Sequence, residues 1–101
     1  MTNPFPFIID AFTKSRGDPC LICIHCKKCS KLIFIYQKDG PGPLKRSYLD
    51  RICRAFIDLE NSMIRCPSCE AKLGFLDVYE KESRKAIYWF ADCVESQLWI
   101  A

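Results

Sequence analysis

CLICIHCKKCSKLIFIYQ, residues 20–37, sets a Cys-x-x-Cys pair between two β-rich runs, and RCPSCEAKLGF, residues 65–75, repeats the device. Leu21 to His25 and Lys31 to Gln37 read as the two strands of a hairpin whose tip is CKKC. With a period of two, Leu21, Cys23 and His25 share one face while Cys20, Ile22 and Ile24 share the other. Two residues between the cysteines let the backbone turn into a knuckle whose amides face the sulfurs. Both thiolates then occupy two corners of one tetrahedron, and a second knuckle supplies the other two. The expected ligands are Cys26, Cys29, Cys66 and Cys69, and the expected cofactor is one structural Zn2+ per chain.

Working outward, the chain has 101 residues, half of them apolar, with 15 basic and 12 acidic side chains, one histidine and eight cysteines. A single domain of this size buries only about two-thirds of its unfolded surface, so its thin core benefits from a metal staple. Apolar runs reach five or six residues, against roughly twenty for a membrane-spanning helix. The start, MTNPFPFIIDAF, lacks the basic residues and cleavage site of a signal peptide. The expectation is a soluble, intracellular protein, cytoplasmic or nuclear. In a reducing compartment eight cysteines point to metal rather than to four disulfides.

Competing readings of the thiols concern the remaining cysteines. Cys20, Cys23, Cys26 and Cys29 fall three apart, as in an iron–sulfur run, but the run closes on Ser30 after a two-residue gap, where bacterial ferredoxins have a three-residue gap and then Cys-Pro. Cys53 and Cys93 sit among apolar residues as small core hydrophobes, with a second metal site of Cys20, Cys23, Cys53 and Cys93 as the alternative. His25 adjoins Cys26 and could replace a cysteine as ligand, but adjacent ligands fit a knuckle poorly, which favours an ordinary strand residue. Lys27, Lys28, Lys31, Arg65 and Lys72, each within three residues of a ligand, offset the charge of four thiolates.

Thirty-six residues separate the two pairs, more than the usual ribbon spacing of about 15 to 20. After the turn signal DGPGP at 39–43, Leu44, Tyr48, Leu49, Ile52, Cys53, Phe56 and Ile57 recur at helical spacing with charges opposite. The pattern predicts an amphipathic helix inserted between the knuckles. Beyond it, Leu73 to Tyr79 reads as a strand, EKESR at 80–84 as a turn, Lys85 to Ala91 as a strand, and Asp92 to Ala101 as a short closing helix. Residues 1–19 form an arm, whose phenylalanines and isoleucines should pack on the domain or a partner, and residues 20–101 one zinc-binding domain. The fold class that follows is α+β: a small antiparallel zinc-ribbon-like sheet with one covering helix.

CPSCEAKLGFLDVYEKESRKAIYWF resembles the last part of the Yippee-like and cereblon-type zinc domains, the β-tent group. There a Cys-x-x-Cys is followed after three residues by Leu-Gly, an aromatic-bearing strand, a polar turn and a returning strand, here Cys66, Cys69, Leu73, Gly74, Phe75 and the strand from Lys85. The resemblance covers about a third of the chain and implies a structural zinc joining two β-hairpins. The helical reading of DGPGPLKRSYLDRICRAF departs from it. B-type methionine sulfoxide reductases look like distant members of the same architecture, with a catalytic cysteine near the position of Cys93, although ADCVES lacks their Arg-x-Cys-x-Asn motif.

Residues 1–55 carry 10 basic and 4 acidic side chains, residues 56–101 carry 5 and 8. With no acid–base constellation in sight, the sequence is read as a non-catalytic module presenting a surface to a macromolecule. A protein is the first choice of partner, with Phe5, Phe7, Phe12, Trp89 and Trp99 as anchors. Nucleic acid, through Lys45, Arg46, Arg51 and Arg54, is the second. A thiol or sulfoxide redox enzyme using Cys93, or Cys20 with Cys23, is the alternative.

Overall fold

Each Cys-x-x-Cys knuckle joins two antiparallel strands in the computed structural model, which describes residues 5–59 and 61–99. The first hairpin is β1 (Pro19–Cys26) and β2 (Leu32–Asp39). Further along come β3 (Arg46–Tyr48), β4 (Ile52–Ala55), β5 (Met63–Arg65) and β6 (Lys72–Tyr79), then β7 (Arg84–Trp89) and β8 (Val94–Leu98). One short helix, α1 (Ala11–Arg16), precedes them, and a single 3-10 turn at Leu49–Arg51 separates β3 from β4. The strands form two four-stranded antiparallel sheets, β4-β2-β1-β8 and β3-β7-β6-β5. The β5–β6 hairpin carries the second knuckle.

The two hairpins share more than a motif. In both, the pairing register slips immediately before the knuckle, between Ile24 and His25 and between Ile64 and Arg65. Side chains from both sheets meet in one core, in which Ile24, Ile33, Phe34, Ile64, Leu73 and Ile87 are completely or almost completely buried. Gly74 lies where the sheet admits no side chain: a Cβ there would stand 2.4 Å from the Tyr88 carbonyl oxygen.

The inserted helix does not form, so the expected α+β arrangement gives way to a β-rich one with one short helix elsewhere. Arg46–Tyr48 pairs with β7, and Ile52–Ala55 pairs with β2. The segment thus lends one short strand to the edge of each sheet and crosses between them at the 3-10 turn. Leu44, Leu49, Ile52 and Ile57 still pack on the core. Arg51, a charged residue of the supposed solvent face, is buried and ion-paired instead, and Ser47 is buried too, accepting a hydrogen bond from the Trp89 indole at 2.8 Å. Sheet edges with unpaired backbone groups outweigh the modest helix propensity of such a segment. The closing helix is overturned for the same reason. Val94–Leu98 takes the free edge of β1, from Cys26 opposite Val94 to Ile22 opposite Leu98, while Ile100 and Ala101 lie outside the described residues.

Residues 8–16 dock on the strands. The buried Gln37 amide holds the Ile8 backbone on both sides at 2.8 Å, accepting from its N–H and donating to its carbonyl. Asp10 caps α1, accepting from the Phe12 and Thr13 amides. It also accepts from Arg51 at 2.6 Å, which with the helix cap holds its carboxyl down at about 2. Arg51, with 2% of its side chain exposed, also contacts Asp39 at 3.0 Å. Arg84, at 5%, forks onto Asp50 at 2.6 and 3.1 Å and reaches Glu82 at 3.0 Å. The Arg84 guanidinium is sandwiched over the rings of Phe12 and Tyr48, 4.1 and 3.7 Å away.

Breaking one partner of such a network strands the other in a poor solvent. Arg51→Ala leaves the Asp39 carboxylate, 5% exposed, without its cation, and is expected to cost about 3–5 kcal/mol in urea unfolding.

Candidate metal centre

The four knuckle cysteines converge. The Sγ atoms of Cys26 and Cys69 are 3.7 Å apart, those of Cys29 and Cys66 are 3.4 Å apart, and all four lie within 4.8 Å of one another. A tetrahedral ion with metal–sulfur bonds of 2.3 Å separates its sulfurs by about 3.8 Å, so the quartet needs only small adjustments to close on one. Cys26 and Cys66 are buried, Cys69 is half-buried and Cys29 is exposed, which sets the centre at the edge of the core.

Local backbone chemistry builds each half the same way. The Cys26 amide donates to the Lys31 carbonyl and the Ser30 amide to the Cys26 carbonyl, both at 2.8 Å. Forty positions on, the Cys66 amide donates to Ala71 and the Glu70 amide to Cys66, both at 2.9 Å. Ser30 and Glu70 consequently sit in the left-handed region, at φ 66° and 63°, where glycine is the usual occupant.

Amides do face the sulfurs, as the knuckle geometry predicts. The Ser68 N–H points at Cys66 Sγ from 3.4 Å. The Lys31 N–H pulls the Cys29 thiol down to about 7, whereas burial pushes the Cys26 thiol up to about 11. The centre therefore holds one thiol that ionises near neutrality and one that, with no cation beside it, stays protonated well above neutrality.

Other sequence candidates land elsewhere. Among the described residues no second cluster of metal-ligating side chains forms, so neither the iron–sulfur run nor the site of Cys20, Cys23, Cys53 and Cys93 assembles. Cys20 and Cys23 lie along β1, opposite Lys38 and Ile35, and burial pushes the Cys23 and Cys53 thiols up. His25 is not in the quartet, and its Nδ1 is buried with no hydrogen-bond partner among the described residues. The carbonyl of Cys93 accepts from the Lys27 amide at 3.0 Å, which fixes the chain after β7 against the first knuckle. Lys27, Lys28, Lys31, Arg65 and Lys72 are all exposed.

The proposed partner-binding residues divide. Lys45 and Arg54 are exposed, Arg46 is half-buried, and Arg51 is committed to its carboxylates. Phe7 is exposed, Phe12 lies beneath Arg84, Trp89 packs on the core, and Phe5 meets Trp99 edge-to-face at 5.7 Å. No local sequence pattern marks the arginine–carboxylate network, because its paired members are up to 66 residues apart. No protein-family model matches the chain, and no curated protein or solved structure does either.

Two measurements probe the centre. Metal must displace the protons that the thiols hold, and Cys26 holds its proton throughout the neutral range. Apparent affinity should therefore rise with pH from 6 to 8, more steeply below about 7, where Cys29 also binds a proton; calorimetry in buffers of different ionisation enthalpy counts the protons released. Ser30→Gly and Glu70→Gly relieve the left-handed strain at some cost in unfolded-chain entropy. Each should raise the stability of the metal-loaded protein by about 0.5–1 kcal/mol in thermal melts.

Proposed function

We propose that Cys26, Cys29, Cys66 and Cys69 hold a structural zinc ion, and that the protein is a non-catalytic interaction module of the zinc-ribbon or β-tent type. The observation that carries this reading is the closed quartet of sulfurs, one pair from each hairpin. Four thiolates suit a borderline-soft, redox-inert, tetrahedral ion, and they leave no position for water or substrate. What zinc supplies there is a cross-link between the hairpins.

Support for a macromolecular partner comes from the exposed side of β6 and β7. Phe75 stacks on Tyr88 at 5.3 Å and meets Phe90 at 5.9 Å, and Phe75 and Phe90 are each more than a third exposed. Clustered, partly exposed aromatics of this kind are the usual anchors of a protein interface. Among the described residues no helix is long and apolar enough to cross a membrane.

Elemental analysis is expected to find one zinc per chain, and chelation at neutral pH to unfold the sheets, with zinc restoring them. Iron with visible absorbance would overturn the ligand chemistry. A sulfoxide- or disulfide-reducing activity that disappears in Cys93→Ser would overturn the non-catalytic reading.

A further inference from the structure

A cleft of about 270 Å³ opens between the end of α1, β2 and the segment leading into β3. Its walls include Arg16, Tyr36, Lys38, Lys45, Arg46 and Tyr48. The only carboxylate among its lining residues, Asp39, is already spent: it accepts from Arg51 at 3.0 Å and from the Gln37 amide at 2.8 Å. The cleft is built rather than open ground between side chains. Gly40, at φ 79°, lies so close to Arg16 that a Cβ would fall 2.2 Å from its carbonyl oxygen, and the Gly40 amide donates to Asp18 at 3.1 Å.

The hydrogen-bonding inventory of these walls is unbalanced. Tyr48 Oη accepts from Arg46 Nε at 2.8 Å and from Arg16 at 3.1 Å, so its own O–H remains to donate. Tyr36, 3% exposed, accepts from the Tyr48 amide at 2.8 Å, and its proton likewise has no acceptor among the described residues. Lys38 gives one of its three N–H bonds to the Gly40 carbonyl at 2.7 Å. The Arg46 guanidinium lies 3.9 Å over the Tyr79 ring, and its terminal N–H groups have no acceptor among the described residues. Arg16 is neutralised by Glu82, while Lys38, Lys45 and Arg46 pair with no carboxylate among the described residues.

Donors in excess, two phenolic hydroxyls at the wall and three uncompensated cations in a small space are what a compact dianion needs. We propose that this cleft binds a phosphate group, either the free ion or the head of a small monoester. None of its lining residues belongs to the cysteine quartet.

The test follows amide resonances of the metal-loaded full chain during titration with inorganic phosphate, sodium chloride of matched ionic strength and phosphoserine. Phosphate should shift residues 36–48 saturably where chloride does not. Lys45→Gln, at an exposed side chain, and Arg46→Gln should each raise the midpoint about tenfold, with resonances outside the cleft unmoved; Lys85→Gln, on β7, should leave it unchanged. Phosphoserine binding at least as tightly as phosphate assigns a monoester, and tenfold weaker binding assigns the free ion. Equal shifts with chloride, or equal weakening by Lys85→Gln and Lys45→Gln, would overturn the proposal.

Discussion

Four cysteine sulfurs from two hairpins share one small volume, and the rest of the structure is arranged around that convergence. The hairpin tips meet only if β1–β2 and β5–β6 approach from opposite sheets. That approach brings Ile24 and Ile33 of one sheet against Ile64, Leu73 and Ile87 of the other. The register slips before Cys26 and Cys66, and the left-handed residues after Cys29 and Cys69, are the local adjustments that aim the sulfurs inward. A metal at this point would join segments far apart in the chain, where cross-linking removes most freedom from the unfolded state.

The opposite side of the molecule is held by charge. Arg51 and Arg84 are buried as deeply as core residues, and each is tolerable there only because carboxylates from other elements meet it. Asp10 brings in the N-terminal segment, Asp39 the end of β2, Asp50 the 3-10 turn, and Glu82 the turn before β7. Burial pushes the Glu82 carboxyl up, but the guanidinium groups of Arg84 and Arg16 prevail and hold it below its ordinary value. The same geometry sets Lys38, Lys45 and Arg46 along one cleft whose single lining carboxylate, Asp39, is taken by Arg51.

Much of this was legible in the primary sequence wherever the determinants are close together. Two residues between cysteines, β-rich flanks and Pro-Gly punctuation describe the hairpins and their tips with little reference to the remainder. Leu44–Ile57 shows where such reading stops. Its apolar spacing suits a helix face, but the same residues also suit edge strands broken by one turn, and the periodicity of a short segment does not separate the two. The choice fell to the free edges of β2 and β7, which lie on both sides of the segment only after the sheets have formed. Val94–Leu98 was decided likewise by the vacant edge of β1.

The sequence by itself therefore determined the two Cys-x-x-Cys knuckles and the hairpins that carry them, because those depend on contacts within a few residues. Only the tertiary structure decided that the two pairs form one quartet while Cys20, Cys23, Cys53 and Cys93 stay apart. It likewise decided which arginines are buried in ion pairs and which face a cleft. Those outcomes rest on which backbone edges and which carboxylates come within reach, a matter of distance in space that spacing along the chain does not encode.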